Sequence, residues 1–200
     1  MKAHELLLKQ HRLVEALFKQ FESARGAQKR RVFEQIATNL VAHDAIEREI
    51  FYPACERAIA DEDVLAEALV EHGVVEFCVF RADMNQGKEE FEQYVTVLKE
   101  MVMHHVKEEE KTLLPKAKRA LDREQLESLG EQMEQRFEQA LDEDFRAALR
   151  DALDQVLAGK TKTQKRGAHP AAKARNSNGR NSSNGRSASG RKSSRPSARA

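Results

Sequence analysis

The chain has 200 residues, with 34 basic and 33 acidic side chains, two cysteines and a mean hydropathy of −0.70. So few cysteines exclude a disulfide-stapled scaffold, and the lack of a long apolar run excludes a membrane-spanning helix; with no secretory signal at the amino terminus, the expected compartment is a reducing cytoplasm. The formal net charge of +1 hides a polarity: 12 basic and no acidic residues lie after Leu157, leaving 22 basic against 33 acidic before it.

Residues 1–158 are rich in Ala, Leu, Glu, Gln and Lys and nearly free of Pro, which predicts an all-helical body with a sizeable core. Apolar residues recurring at steps of three and four mark the inward stripe of each helix. The first stripe is Leu7, His11, Val14, Phe18, Phe21, with a break expected at Gly26. The second is Phe33, Ile36, Leu40, His43, Glu47, Ile50, Ala54, followed by a break at residues 61–63. The third is Leu65, Leu69, His72, Glu76, Val79, closing near Gly87, and the fourth is Leu98, Val102, His105, Glu109, Thr112. Beyond Asp122, Leu126, Leu129, Met133, Phe137 and Leu141, then Phe145, Leu149, Leu153 and Val156, read as one or two extra helices covering the bundle. Cys55 and Cys78 read as small buried thiols.

Every main stripe is interrupted by polar residues in the same way. Four histidines carry a glutamate four residues downstream: His11/Glu15, His43/Glu47, His72/Glu76 and His105/Glu109. Four residues advance a helix by about 6 Å and slightly more than one turn, so both side chains of a pair face the same way. Glu15 is set aside because Val14 competes for the inward place. A buried, unpaired carboxylate is penalised by several kcal/mol, so inward carboxylates beside imidazoles call for a cation. Residues 40–53 and 102–115 also repeat one pattern, His, Glu four later and Pro ten later, which selects His105 over its neighbour His104. His11 and His72 are 61 residues apart and His43 and His105 are 62, as two helix pairs related by an approximate two-fold axis would require. Pro53 and Pro115 are expected to kink or end their helices beyond the donors. The order His-then-Glu at a step of four differs from the Glu-x-x-His of ferritin-like bundles.

A lone His, then HxxxE, a lone His and HxxxE, with the endings FYP and LLP, resembles the hemerythrin-like (HHE cation-binding) family over about the first 120 residues. The resemblance implies an all-α, up-down-up-down four-helix bundle. It further implies two iron ions with an oxo or hydroxo bridge, His11, His43, His72 and His105 as terminal ligands, and Glu47 and Glu109 as bridges. Nitrogen and carboxylate donors without thiolate suit iron or manganese and leave zinc possible; it is the resemblance that implies iron. Glu76 stands where the oxygen carriers of the family use a further His, and the last carboxylate follows its His by four residues instead of five. Glu76, with Asp44 and Tyr52 as competitors, is taken as the seventh donor, which leaves one coordination position open. A carboxylate in place of an imidazole favours the ferric state, and hence handling of dioxygen, nitric oxide or peroxide over simple oxygen carriage.

After residue 158 the sequence holds no acidic and no large aliphatic residue, so a disordered basic tail, 159–200, is expected. It resembles the Lys/Ala/Arg extensions of bacterial histone-like proteins, which implies non-specific phosphate contacts with nucleic acid through residues 160–199 and a nucleoid association. Two functions compete at the same centre: a diiron protein that binds or senses a small oxidant, and a redox enzyme of peroxidase or catalase type, with iron handling as a variant and a metal-free helical adaptor as a distant third.

Overall fold

The computed structural model describes residues 1–59 and 62–157. Its helices are α1 (Ala3–Ser23), α2 (Gly26–Ile46), α3 (Tyr52–Ala58), α4 (Glu62–Met84), α5 (Phe91–Glu108), α6 (Leu114–Ala120), α7 (Arg123–Leu141) and α8 (Phe145–Leu157), and no strand occurs among the described residues. α1 packs on α2 and α4 on α5, and the square is closed by α1 against α5 and α2 against α4. α7 covers α1 and α2, and α8 covers α2 and α4, so two extra helices follow the bundle. The fold is the all-α bundle expected of the hemerythrin type. The tail 159–200, the boundary at residue 158 and the break at Asp61 lie outside the described residues.

The breaks follow local chemistry. Gly26 and Gly87 take positive φ, +53° and +81°, at the turns where α2 begins and α4 gives way to α5. Asp122 caps α7: its side chain accepts from the Gln125 amide at 2.8 Å while the Gln125 side chain accepts from the Asp122 amide at 2.9 Å.

Two stripes shift phase where the sequence pattern ran straight on. α2 passes into α3 through a π-helical turn, Glu47–Phe51, and α5 into α6 through a second, Glu109–Leu113. In each the amide five residues on, Tyr52 or Leu114, donates to the carbonyl of the glutamate. A π turn inserts one residue into the helical period. Phe51 and Leu113, 0% and 2% exposed, therefore take the inward places that the sequence assigned to Ile50 and Thr112. The chain stays helical through Pro53 and Pro115; the irregularity starts upstream of them, at the glutamates. In α4, Ala68 is buried and Leu69 is 40% exposed, because a step of three from Leu65 keeps the stripe as well as a step of four. In α7, Ala140 is buried in place of Leu141, and Gly130 lets the helix cross the start of α1: a Cβ there would lie 2.0 Å from the Met1 carbonyl oxygen.

Candidate metal centre

The buried apolar residues form two clusters, one built around Phe18, Phe33, Phe91 and Val102 and the other around Leu7, Phe51, Leu113 and Met133. Between them lies a polar layer. His11 comes from α1, His43 from the last turn of α2, His72 from α4 and His105 from the last turn of α5, while Glu47 and Glu109 open the two π turns. All six are buried, as is Glu76.

Six of these residues gather into two sets. The donor atoms of His11, His43, Glu47 and Glu109 lie within 4.8 Å of one another, as do those of Glu47, His72 and His105, so Glu47 belongs to both. Its Oε2 lies 3.2 Å from His43 Nε2 and 3.3 Å from His72 Nε2. His11 Nε2 is 3.1 Å from Glu109 Oε2, and the Nε2 atoms of His72 and His105 face each other at 3.0 Å. Glu76 stands outside both sets, with its Oε1 3.4 Å from the Arg48 guanidinium. Tyr52 places its hydroxyl 3.0 Å from His72 Nε2, whereas Asp44 bonds the outer nitrogen of the same ring. Glu15 is only half-buried and pairs with Arg12. His104 is exposed.

The outer nitrogens explain why the inner ones converge. His11 Nδ1 donates to Glu110 at 2.9 Å, His43 Nδ1 to Gln10 at 2.9 Å, His105 Nδ1 to Glu71 at 2.7 Å, and His72 Nδ1 to Asp44. A carboxylate or amide oxygen only accepts, so each Nδ1 carries the proton and each Nε2 turns a lone pair inward. The supply runs in a ring: α1 serves α2 through Gln10, α2 serves α4 through Asp44, α4 serves α5 through Glu71, and Glu110, just beyond α5, serves α1. Gln10, Glu71 and Glu110 were missed in the sequence. Yet each adjoins a donor in the chain, and that adjacency was the available signal.

Without a cation the layer is electrostatically unfavourable. His11 Nε2, His43 Nε2 and both carboxylate oxygens of Glu47 and of Glu109 are buried with no hydrogen-bond partner. Burial, and next the charge of Glu109, pushes Glu47 well above the usual carboxylate range. Burial opposes ionisation of Glu109 too, but the facing His11 ring, and after it His105, holds it at about 2. His43 is driven well below the usual imidazole value by burial and then by His11, and His105 is lowered by burial and then by His72. Glu76 is pushed up to about 7 by burial and then by Asp44. Imidazole lone pairs around two unpartnered carboxylates are the donor set of a nitrogen- and oxygen-loving cation, and they fit one. A cavity of about 40 Å³ adjoins the layer, lined by all four histidines, Asp44 and Glu76 and walled by valines including Val75, Val79 and Val102.

Fold and donor set together define a helical metal-binding protein. The sequence model of the hemerythrin HHE cation binding domain matches residues 2–117, and the chain belongs to that family. The fold is shared with the crystal structure of a hemerythrin HHE cation binding domain-containing protein from Mycobacterium kansasii: TM-score 0.62, 24% identity, 80% of this chain and 94% of that chain covered. No match was found among curated proteins.

Proposed function

We propose that the chain is a non-haem diiron protein that binds dioxygen, nitric oxide or peroxide at the polar layer. The observation that supports it best is Glu47, a fully buried carboxylate common to two donor sets and without a hydrogen-bond partner of its own, which suits a bridge between two ions. In this reading His11 and His43 would hold one ion and His72 and His105 the other, with Glu47, and Glu109 from the first set, as the carboxylates that would serve both. Glu76 is the seventh donor, drawn inward from Arg48 when metal binds, and Tyr52 is its competitor because its hydroxyl already lies on the inner side of His72. Asp44 faces outward and is a support for His72. The iron supplies the redox chemistry; the protein's part is to fix four Nε2 lone pairs, keep water out with the valine wall and leave room for a small molecule in the cavity. The basic residues 160–199 are proposed to hold nucleic acid through phosphates, with affinity falling steeply as salt rises.

Anaerobic reconstitution with iron(II), metal analysis, and visible spectra before and after azide, nitric oxide or peroxide test the reading. About two irons per chain are expected, with bands that respond to these ligands; no bound iron would sink it. Loss of a visible charge-transfer band in Tyr52→Phe, but not in Glu76→Gln, would give the seventh place to Tyr52. Sustained consumption of peroxide at the loaded centre would move the function to a peroxidase- or catalase-like enzyme.

A further inference from the structure

The cavity against the polar layer reaches the surface on one side. The residues that α1 and α5 lend to its wall are all buried; the half-buried ones are Val41 and Asp44 of α2 and Val75 of α4, which stand along the seam between those two helices. Further along, that seam is held from α8, where Arg146 bonds Asp83 of α4 at 3.0 Å and Glu34 of α2 at 3.1 Å. Beside the layer two links cross it, His72 to Asp44 and Arg48 to Glu76.

The first link aims the His72 ring; the second is loose. Arg48 Nε donates to Asp44 at 2.5 Å, but its Nη2 lies 3.4 Å from Glu76 Oε1 and is buried without a hydrogen-bond partner among the described residues. The side chain as a whole is 33% exposed, so it comes in from solvent and buries this one end. A buried donor without an acceptor is uncommon in a folded protein and calls for an explanation. Arg12, the cation behind His11, offers a contrast: both of its terminal nitrogens are bonded, to Glu15 and Glu110, and neither carboxylate lines the cavity. Arg48 instead joins two residues of the cavity wall and keeps an unused donor beside them.

We propose that the seam between α2 and α4 at Val41 and Val75 is the port of the polar layer, and that Arg48 is its selectivity residue, admitting a small monovalent anion. The inference rests on the reading of the layer as an iron centre and adds the route and the ligand class. Up to Leu157 the chain holds 22 basic against 33 acidic residues, so a free anion approaches against the field of the body, and Asp44 at the mouth adds to the repulsion. Arg48 cancels that carboxylate, and its Nη2 has a donor to offer as the anion passes. The two valines limit the size of what enters. A neutral diatomic passes between them without help and is indifferent to Arg48.

The test uses the full chain loaded with iron, with azide as the anionic probe and nitric oxide as the neutral one, each titrated by visible spectra. Arg48→Gln should weaken azide about tenfold and leave nitric oxide unchanged, and Arg48→Lys should restore most of the azide affinity. Val41→Glu, which leaves Arg48 in place, should disfavour azide in the same selective way, whereas Val41→Gln should not. Val75→Phe, which narrows the port, should slow the binding of both probes in stopped flow. Loss of azide and nitric oxide by one factor in Arg48→Gln would reduce Arg48 to a structural brace and overturn the proposal. Azide binding indifferent to both Arg48→Gln and Val41→Glu, or entry unslowed by Val75→Phe, would overturn it too. A wild-type chain that binds no iron would instead overturn the reading of the layer itself, and this inference with it.

Discussion

The two donor sets share Glu47 but differ in how they are closed. The set of His11, His43, Glu47 and Glu109 has a carboxylate against each imidazole, at 3.1 and 3.2 Å. The set of Glu47, His72 and His105 has one carboxylate for two imidazoles, whose Nε2 atoms confront each other at 3.0 Å, with Tyr52 as the nearest further oxygen. The outer contacts differ in the opposite sense: neutral Gln10 orients one ring of the first set, while Asp44 and Glu71 orient both rings of the second. A carboxylate behind an imidazole makes it the stronger donor. The poorer inner complement of the second set is thus offset from outside.

The largest expected effect comes from breaking what the sets share. Glu47→Gln should abolish binding at both, bringing bound iron from about two per chain to almost none, whereas His11→Ala or His105→Ala should each remove one ion; metal analysis of the purified variants decides this. The same Glu47→Gln change should make the metal-free protein about 1–3 kcal/mol more stable near neutral pH, because a buried carboxylate without a partner is gone. Thermal unfolding in chelator measures it, and a variant that keeps its iron would dissolve the comparison.

Next in size are the outer carboxylates. Asp44→Asn and Glu71→Gln should each weaken iron binding by about 10- to 100-fold, chiefly at the second set, which competition with a chelator resolves. Glu76 gives a pH signature. It titrates at about 7 in the fold against an ordinary value of 4.5, so the fold retains a proton that the unfolded chain releases. Its stabilising share is full below pH 4.5 and is lost as pH rises toward 7. Metal-free Glu76→Gln should therefore gain on wild type across that window, by about 1–2 kcal/mol, in melts at stepped pH. The smallest effect is Gln10→Glu, which should tighten the first set by a few-fold at most and so reduce the contrast between the two.

Helix count, the breaks at Gly26, Gly87 and Asp122, and the burial of the four histidines with Glu47, Glu76 and Glu109 were readable because each rests on local chemistry or on a stripe position. The π turns were not. A period of 3.6 carries Ile50 and Thr112 inward, and only the widened turn at each glutamate, which no single residue type announces, replaces them with Phe51 and Leu113. Gln10, Glu71 and Glu110 escaped for another reason: they sit one residue, about 100°, off the stripe, where a polar residue reads as solvated, and their targets lie on helices remote in sequence. Gly130 was overlooked because its role is the missing side chain.

The ring of outer acceptors has a consequence for how the molecule is made. Three of its links join one bundle helix to the next in order of synthesis, but the fourth, from Glu110 to His11, spans 99 residues and fastens the last helix to the first. A growing chain can therefore orient His43, His72 and His105 as it emerges, while His11 stays free to rotate until α5 has arrived. The ring works as a clasp, and the ion trap is set only when the bundle is whole.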